Sequence, residues 1–351
     1  MSILLTLTCE INCCLFYLQW QFKNVKMFRK LREIIKTMVM LVAILICMPA
    51  SISTTSSELK LIDEYIRLNE AEKRLLEYKD DIEALRLKLA QVDIINASRK
   101  KNRADPVKLD ILASRVANKI AVEAAQNDYT GHWNLIGEKP YHRWGAAGGH
   151  DHVTENAYGE WTTAKYEISS KTIAAMMKNG HDAFMKERAP NDGHKKTTIN
   201  KYHNFVGLGF ALTENRFRYY EKFVDRYIEF KNVPSNVKTD EEFRINVKPM
   251  NGEFLYFLMV YRDRPLVPMS PDQIRRRASY PDFGDEEALR IPAWELAKFR
   301  TENGYSIPLK FSKEGIYYIQ MFLDKKEITN PMTISTKGKD PASGIIIFAT
   351  N

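Results

Sequence analysis

The sequence predicts an α+β protein in which a mixed helical and stranded region is followed by an all-β region. Helical and stranded patterns succeed one another over residues 105–231, while short alternating runs bounded by turn residues fill residues 240–351. The 351 residues are 44% hydrophobic and 27% charged, the composition of an ordinary globular chain of about two domains. Wholesale disorder is therefore excluded, and two packed regions are expected.

Charge and cysteine content narrow the class of protein. The net charge is +8, but the basic residues are spread along the chain and form no blocks, so we expect no nucleic-acid partner. The four cysteines, Cys9, Cys13, Cys14 and Cys47, all precede residue 48. The rest of the chain has no thiol or disulfide, so its stability must come from a packed core.

Residues 1–57 have the pattern of a targeting segment. Basic residues between Lys23 and Lys36 precede an uninterrupted apolar run at 38–48, and small residues follow Pro49. This layout is typical of a signal peptide, and about 11 apolar residues are short for a membrane-spanning helix, which needs about 20. We expect a secreted or cell-envelope protein, with a signal anchor as the alternative. Another apolar stretch, at 3–22, points to Met27 as an alternative start of translation.

Residues 58–104 are predicted to form a helical spacer. The first part, 58–95, contains neither Gly nor Pro, and its apolar residues recur at spacings of three and four. Several interpretations stay open: a solvated amphipathic helix, a helix laid on a neighbour, and a short coiled coil through which residues 58–95 self-associate. The run 98–103 is predicted to be a solvated basic linker.

The region 105–231 contains all seven histidines, between positions 132 and 203. Asp105 and Pro106 predict the start of a helix that ends near Asn127, and a second helix is expected over 169–186. A breaker-rich turn at 190–194 separates it from two strands, 205–212 and 216–230. If the chain has a polar site, this region is expected to contain it.

Four short motifs follow one another in this region: Gly131-His132-Trp133, Thr154-Glu155-Asn156-Ala157, Asn191-Asp192-Gly193-His194 and Val206-Gly207-Leu208-Gly209-Phe210. In this order they resemble the cysteine-rich secretory protein, antigen 5 and pathogenesis-related (CAP) superfamily, also called SCP domains. The likeness is to its disulfide-free bacterial members and covers about residues 105–230. It implies an α-β-α sandwich. Thr154 departs from the family pattern, which has glycine there.

The resemblance also implies a cleft tetrad of His132, Glu155, Glu187 and His194, in which Glu187 is placed chiefly by Phe184 three residues before it. Neutral imidazoles are competent zinc ligands, and nearby carboxylates orient them. We therefore expect His132 and His194 to bind a divalent metal such as zinc. Binding should be weak because only two nitrogen ligands are secure. No other cofactor is expected.

Other interpretations of the same residue types stay open. Glu155 fits a structural role in which it bonds backbone groups of its loop, and a cluster of His152 with Glu155 competes with the tetrad. His142, His181 and His203 are expected to be surface or capping residues, because that is the usual place of a lone histidine.

Catalysis has little support in the sequence. No serine or threonine lies in a nucleophile-elbow pattern, and neither a phosphate loop followed by lysine nor His-Glu-x-x-His occurs. We expect an exported, non-catalytic CAP protein whose cleft binds a metal weakly and takes a lipid, peptide or cell-envelope ligand. The alternatives are a metal-assisted hydrolase of extracellular peptides or cell-wall material, with no catalytic residue identified, and a purely structural envelope protein.

The carboxyl-terminal region, residues 240–351, predicts a β-sandwich. Its strands are expected at 242–248, 253–261, 306–311, 315–323 and 344–349. The charged stretch 270–300 is predicted to be a surface excursion with a short helix near Trp294. It contains Arg275, Arg276 and Arg277, for which we weigh a solvated loop against contact with acidic glycans or lipid head groups.

Overall fold

The computed structural model describes residues 56–277, 279–280 and 284–351. Its first half mixes helices with strands and its second half is dominated by strands, which confirms the predicted α+β class. The predicted targeting segment, residues 1–57, lies outside the described residues except for its last two, and Met27 lies outside them as well. In the described part of the chain, no helix combines the length and the apolar character needed to cross a membrane.

The helices of the described residues are α1 (Ser56–Ala71), α2 (Ile82–Lys101), α3 (Ile111–Gln126), α4 (Pro140–Ala146), α5 (Ser170–Lys186), α6 (Gly193–Ile199), α7 (Pro271–Arg276) and α8 (Ala293–Leu296). The strands are β1 (Lys108–Leu109), β2 (His152–Trp161), β3 (Phe205–Leu212), β4 (Arg216–Asp225), β5 (Ile228–Lys231), β6 (Asn236–Lys238), β7 (Glu242–Pro249), β8 (Phe254–Asp263), β9 (Glu286–Pro292), β10 (Arg300–Thr301), β11 (Gly304–Lys310), β12 (Gly315–Asp324) and β13 (Ile345–Thr350). Residues 60–351 form one compact unit, and the predicted boundary between residues 231 and 240 stays a prediction.

The first sheet has the strand order β1-β3-β4-β2. Strand β1 runs parallel to β3, and the β2–β4 and β3–β4 pairs are antiparallel. One face is covered by α3, which approaches β3 closely because β3 contains two glycines. A Cβ atom on Gly207 would stand 2.2 Å from the carbonyl carbon of Ala113, and one on Gly209 would stand 2.1 Å from that of Ala117. No other residue fits at these positions without moving α3.

Helix α3 begins later than the sequence predicts. The Asp110 side chain accepts a hydrogen bond from the Ala113 backbone N–H at 2.7 Å and so caps the helix. The prediction of a start at Asp105 is wrong because residues 108–109 pair with β3 as strand β1. By contrast, α5 begins where predicted, with Ser169 as its cap.

The opposite face of this sheet is covered by α5 and α2, with α1 packed alongside. Ile62, Tyr65, Leu85, Val92 and Ile95 share one core with strand residues such as Phe217 and Tyr219. The predicted segment is helical, in two helices, and part of its apolar stripe packs against the protein's own sheet. The interpretation as a solvated helix is therefore wrong, and that of a helix laid on a neighbour fits this packing. Both faces of the sheet carry helices, which gives the α-β-α layering that the CAP resemblance implies.

The predicted basic linker at 98–103 is also wrong, because most of it is the last part of α2. The Arg99 side chain is buried and donates hydrogen bonds to four backbone carbonyls, those of Asp105, Thr198, Asn200 and His203, at 2.7 to 3.0 Å. Arg99 thus joins α2 to α6 and to the loop before β3.

The second half contains two sheets with a shared core. One has the order β10-β11-β7-β5 and the other β6-β13-β12-β8-β9, and residues such as Ile245 and Ile307 of the first pack against Leu258, Ile319 and Ile347 of the second. All five predicted strands are present within a few residues. Two expectations differ: the strand predicted at 216–230 breaks after Asp225, so that β5 joins the sandwich, and 286–292 is a strand paired with β8.

Candidate metal-binding site

Strand pairing in the first sheet places Glu155 at the base of the candidate site. Glu155 of β2 lies directly opposite Lys222 of β4, and both side chains are buried. The Lys222 ammonium donates to Glu155 Oε2 at 2.8 Å. Arg143 of α4 adds two charge-assisted hydrogen bonds through Nη2, each 2.9 Å long, one to each carboxylate oxygen. The carboxylate is therefore held by two buried cations.

These cations fix the charge of the Glu155 side chain. Burial alone would raise the pKa of Glu155, but the charges of Arg143 and Lys222, with the hydrogen bond to His132, outweigh it and hold the pKa well below its ordinary value. Burial lowers the pKa of Lys222 to about 8, against the opposing attraction of Glu155. A carboxylate stabilised in this way is a poor proton acceptor, so Glu155 is suited to orienting a neighbour and unsuited to general-base catalysis.

The neighbour that Glu155 orients is His132, in the loop after α3. His132 Nδ1 lies 3.2 Å from Glu155 Oε1. The loop is anchored next to it, because the Arg143 guanidinium donates to the His132 carbonyl at 2.7 Å. A carboxylate that accepts from Nδ1–H leaves the lone pair on Nε2.

The second imidazole, His194 of α6, has a matching partner in Glu187, which follows α5. His194 Nδ1 lies 2.5 Å from Glu187 Oε1, and the backbone N–H groups of His194 and Lys195 donate to Oε2 at 2.9 and 3.3 Å. Glu187 therefore caps the first turn of α6 and orients the ring at the same time.

The two rings lie close together, with centroids 6.2 Å apart and planes inclined by 34°. Two imidazole nitrogens that share a zinc ion each lie about 2.0–2.1 Å from it, which sets the ring centroids about 5 to 6 Å apart. The observed spacing of 6.2 Å is slightly above that range. The His132 side chain is 11% exposed and that of His194 is 35% exposed, so the pair is reachable from solvent.

Aromatic side chains flank the pair. Tyr280 stands edge-on to His132 with centroids 5.0 Å apart, and Phe184 stacks on His194 at 4.9 Å. Among the described residues, no hydrogen bond is made to Nε2 of either histidine. The same part of the chain contains no group of three or more His, Cys, Asp or Glu side chains placed to hold a metal ion. An ion bound here would have two protein ligands and take water for the rest.

The structure therefore brings all four residues of the cleft tetrad together, as two carboxylate–imidazole pairs. The competing cluster of His152 with Glu155 is absent: these residues are three apart on β2 and point to opposite faces. His152 Nδ1 instead lies 2.8 Å from Asp225 Oδ2. The alternative metal cluster of His152 with Glu155 is therefore wrong.

The expectation that His142, His181 and His203 are surface or capping residues is wrong for His181 and His203. It is half right for His142, which is buried but caps α4 by accepting from the Lys139 backbone N–H at 3.2 Å. Each is buried, and each pairs with a carboxylate: His142 with Asp263 at 2.6 Å, His181 with Glu221 at 2.8 Å and His203 with Asp225 at 2.5 Å. Their carboxylate partners lie 22 to 121 positions away along the chain. A local sequence pattern therefore could not predict these pairs.

No supporting role at the site was predicted from the sequence for several residues that have one. Asn156, on the sheet face opposite Glu155, donates to the His194 carbonyl at 3.1 Å, to Thr198 Oγ1 at 3.0 Å and to Glu221 Oε2 at 3.2 Å. It thereby ties α6 to the sheet. Arg143 and Lys222 were missed as well, although the pairing of β2 with β4 would have placed Lys222 beside Glu155.

Searches with the sequence find no matching family model and no matching curated protein. The structure is similar to an extracellular protein containing an SCP domain from Bacillus anthracis, with 17% identity over 39% of this chain and 40% of that one, at a TM-score of 0.30. It is also similar to an outer surface protein from Borrelia burgdorferi, with 18% identity over 40% of this chain and 93% of that one, at 0.32. A cysteine-rich secretory protein from Staphylococcus aureus has 11% identity over 40% and 38%, at 0.28.

Proposed function

We propose that this chain is an exported, non-catalytic binding protein whose His132–His194 pair takes one zinc ion weakly. The observation that supports metal binding is the matched orientation of the two rings: each has Nδ1 next to its own carboxylate, which leaves Nε2 as the free donor atom. Carboxylate–histidine pairs of this kind are usual around zinc, because the carboxylate fixes the tautomer and raises the basicity of the ring.

His132 and His194 would hold the ion, while Glu155 and Glu187 would orient them. A bound zinc ion would supply a Lewis acid in a solvent-reachable position. Both carboxylate oxygens of Glu155 are bonded to Arg143 or Lys222, so Glu155 would not itself bind the ion. Two protein ligands support a weak affinity for zinc. Its lowered pKa also argues against a general base at this site, and this supports a binding role over hydrolysis.

The test is calorimetry with zinc on the parent and on the His132→Ala, His194→Ala double variant. We expect measurable binding by the parent and none by the double variant. His150→Ala is the matched control, because His150 is a further histidine that lies outside both pairs, and its Nδ1 has no hydrogen-bond partner. Unchanged affinity in the double variant would exclude the pair as the site.

Export is proposed from the sequence of residues 1–57. The protein recovered outside the cell should begin between about Ala50 and Ser57 when its amino terminus is sequenced. Recovery of intact residues 1–50 in the cytosol would contradict export. A lipid, peptide or cell-envelope ligand stays a prediction, as does self-association through residues 58–95.

A further inference from the structure

Three arginines converge on one aspartate at the far end of the first sheet from Asp225. Asp128 follows α3, and its Oδ1 accepts from Arg216 Nε at 2.7 Å and from Arg218 Nη2 at 3.0 Å. Arg275 of α7 donates to the Asp128 backbone carbonyl. Arg216, Arg218 and Arg275 are called the arginine patch below.

The patch carries more positive charge than its acids neutralise. Among the described residues, the arginines pair with two carboxylates, Asp128 and Asp272. Three guanidinium groups against two carboxylates leave an excess positive charge. The Arg218 guanidinium donates hydrogen bonds to the carbonyls of Tyr129, Glu160 and Phe217 and to the Asp128 carboxylate. The guanidinium groups of Arg216 and Arg275 are therefore the ones that remain reachable, with side chains 34% and 45% exposed.

These groups face a cleft of about 440 Å³, which is also lined by Thr130, Gly159, Trp161 and Asn215. Gly159 matters for its shape, since a Cβ atom there would stand 2.1 Å from Thr130 Oγ1. The cleft thus combines guanidinium donors with the neutral hydroxyl and amide groups of Thr130 and Asn215.

An exposed tryptophan stands at the edge of the same cleft. Trp161 is 72% exposed and lies directly opposite Arg216 in the β2–β4 ladder. Such a ring offers a ligand in the cleft a large, rigid, apolar face.

We propose that the arginine patch and Trp161 bind an acidic glycan, that is, a sulfated or uronic acid-containing oligosaccharide. The oxygens of the sulfate or carboxylate groups accept hydrogen bonds from Arg216 and Arg275, since a guanidinium group can donate two parallel hydrogen bonds to such an anion. The apolar face of a sugar ring lies on Trp161, and sugar hydroxyls reach Thr130 and Asn215. A single aromatic ring beside a concave cleft fits an oligosaccharide better than a flat membrane surface, which takes up several apolar side chains together.

This site uses none of the residues of the His132–His194 pair. Glycan binding is therefore expected with or without zinc, and the two proposals can be tested separately. It also gives Arg275 of the triplet 275–277 a defined position next to two strand arginines, which the sequence alone does not bring together.

The test is calorimetry with a heparin-derived hexasaccharide at low and physiological salt. We expect the parent to bind, with affinity falling as salt rises. Arg216→Gln and Arg275→Gln should each weaken binding by about tenfold or more, since each removes charge-assisted hydrogen bonds. Arg244→Gln, the same charge change at an exposed arginine of strand β7, should stay within about twofold of the parent.

Trp161→Ala tests the stacking of a sugar ring on the indole and leaves the ion pairs of the arginine patch in place. It should weaken binding of the hexasaccharide, whereas Trp161→Phe should retain most of that binding. Failure of the parent to bind the hexasaccharide, or equal losses in Arg244→Gln and Arg216→Gln, would overturn the proposal. Arginine-dependent binding to vesicles of phosphatidylserine and phosphatidylcholine, with no binding of the hexasaccharide, would overturn it in favour of a lipid surface.

Discussion

The imidazole rings of His132 and His194 lie close together, with centroids 6.2 Å apart. They come from different sides of the sheet: His132 follows α3, which covers one face, and His194 lies in the short helix α6 near the other. Each is oriented by a different carboxylate, and the two carboxylates differ in character. Glu155 is buried and bound by two cations, whereas Glu187 is partly exposed and bonded mainly to α6. The pair therefore has one rigid member and one more accessible member, and this asymmetry guides the following predictions.

Zinc binding should depend on pH through the two imidazoles. A histidine must be unprotonated to ligate, so protons compete with the ion for the two ring nitrogens. We expect zinc affinity to fall as the pH is lowered from about 8 to about 5. Calorimetric titrations at five pH values check this. Affinity that is independent of pH between 5 and 8 would show that the ligands are not histidines.

Removing the partner of His194 should weaken the metal site without unfolding the protein. Glu187→Ala frees the His194 ring to rotate and removes a preference for the tautomer with Nε2 available. Loss of such an orienting partner typically costs about 10- to 100-fold in metal affinity. Glu214→Ala serves as the control, since among the described residues its side chain pairs with the exposed Lys165 alone. Equal zinc affinities of the parent and Glu187→Ala would contradict an orienting role.

Glu155→Gln should destabilise the fold. The amide leaves Arg143 and Lys222 without their counter-charge in a buried position, and breaking a buried pair in this way typically costs about 3 to 5 kcal/mol. Because the pKa of Glu155 is lowered in the folded state, its contribution is complete above the unfolded value near 4.5 and is lost as the pH falls through the folded value.

The difference in unfolding free energy between the parent and Glu155→Gln should therefore be largest near pH 7 and shrink below about pH 4.5. Urea unfolding at pH 7, 4 and 3 measures it. Glu160→Gln on the same strand should have a small effect at every pH. In the part of the chain that the structure describes, its carboxylate accepts from the Tyr158 hydroxyl alone. A Glu155→Gln variant as stable as the parent at pH 7 would show that the buried cations do not need the carboxylate.

The sequence revealed those parts of the site that are local. Glu187 and His194 are seven residues apart, and the turn between them places both near the start of α6. His194 belongs to the turn motif 191–194, whereas Glu187 was named by the resemblance and placed through Phe184. Helix α5 was likewise predicted, and Ser169 caps it, although Gly180 lies in its interior. The motif Thr154-Glu155-Asn156 gave the position of Glu155 but not its partners.

What the sequence could not reveal depends on long-range contacts. Arg143 and Lys222 reach Glu155 from 12 and 67 positions away, and nothing in their neighbours distinguishes them from solvated cations. The same holds for residues 98–103, whose polar sequence is that of a linker although Arg99 is buried among four carbonyls. Polar residue type predicts exposure only when no tertiary partner exists, and the partners here lie in other elements.

Hydrolysis should be absent. A general base must accept a proton during turnover, and a carboxylate whose pKa is held low by Arg143 and Lys222 accepts one poorly. We expect no zinc-dependent cleavage of peptide or glycan libraries by the parent. Reproducible zinc-dependent turnover that disappears in a folded Glu155→Gln variant would overturn the non-catalytic proposal and favour the hydrolase.

Arg99→Met should destabilise the protein and disturb the metal site together. The substitution preserves most of the aliphatic packing but leaves four carbonyls without their donor. Two of them, those of Thr198 and His203, are buried, and each buried unsatisfied group costs about 1 to 3 kcal/mol. One of these carbonyls belongs to Thr198 of α6, the helix that carries His194. We therefore expect a loss of about 3 kcal/mol or more in urea unfolding, accompanied by weaker zinc binding under conditions where the variant is still folded. Lys100→Met, at the exposed neighbouring position, is the matched control and should change neither. A folded Arg99→Met variant with parental stability would show that α2 joins the fold through its apolar residues alone, without the guanidinium contacts to α6.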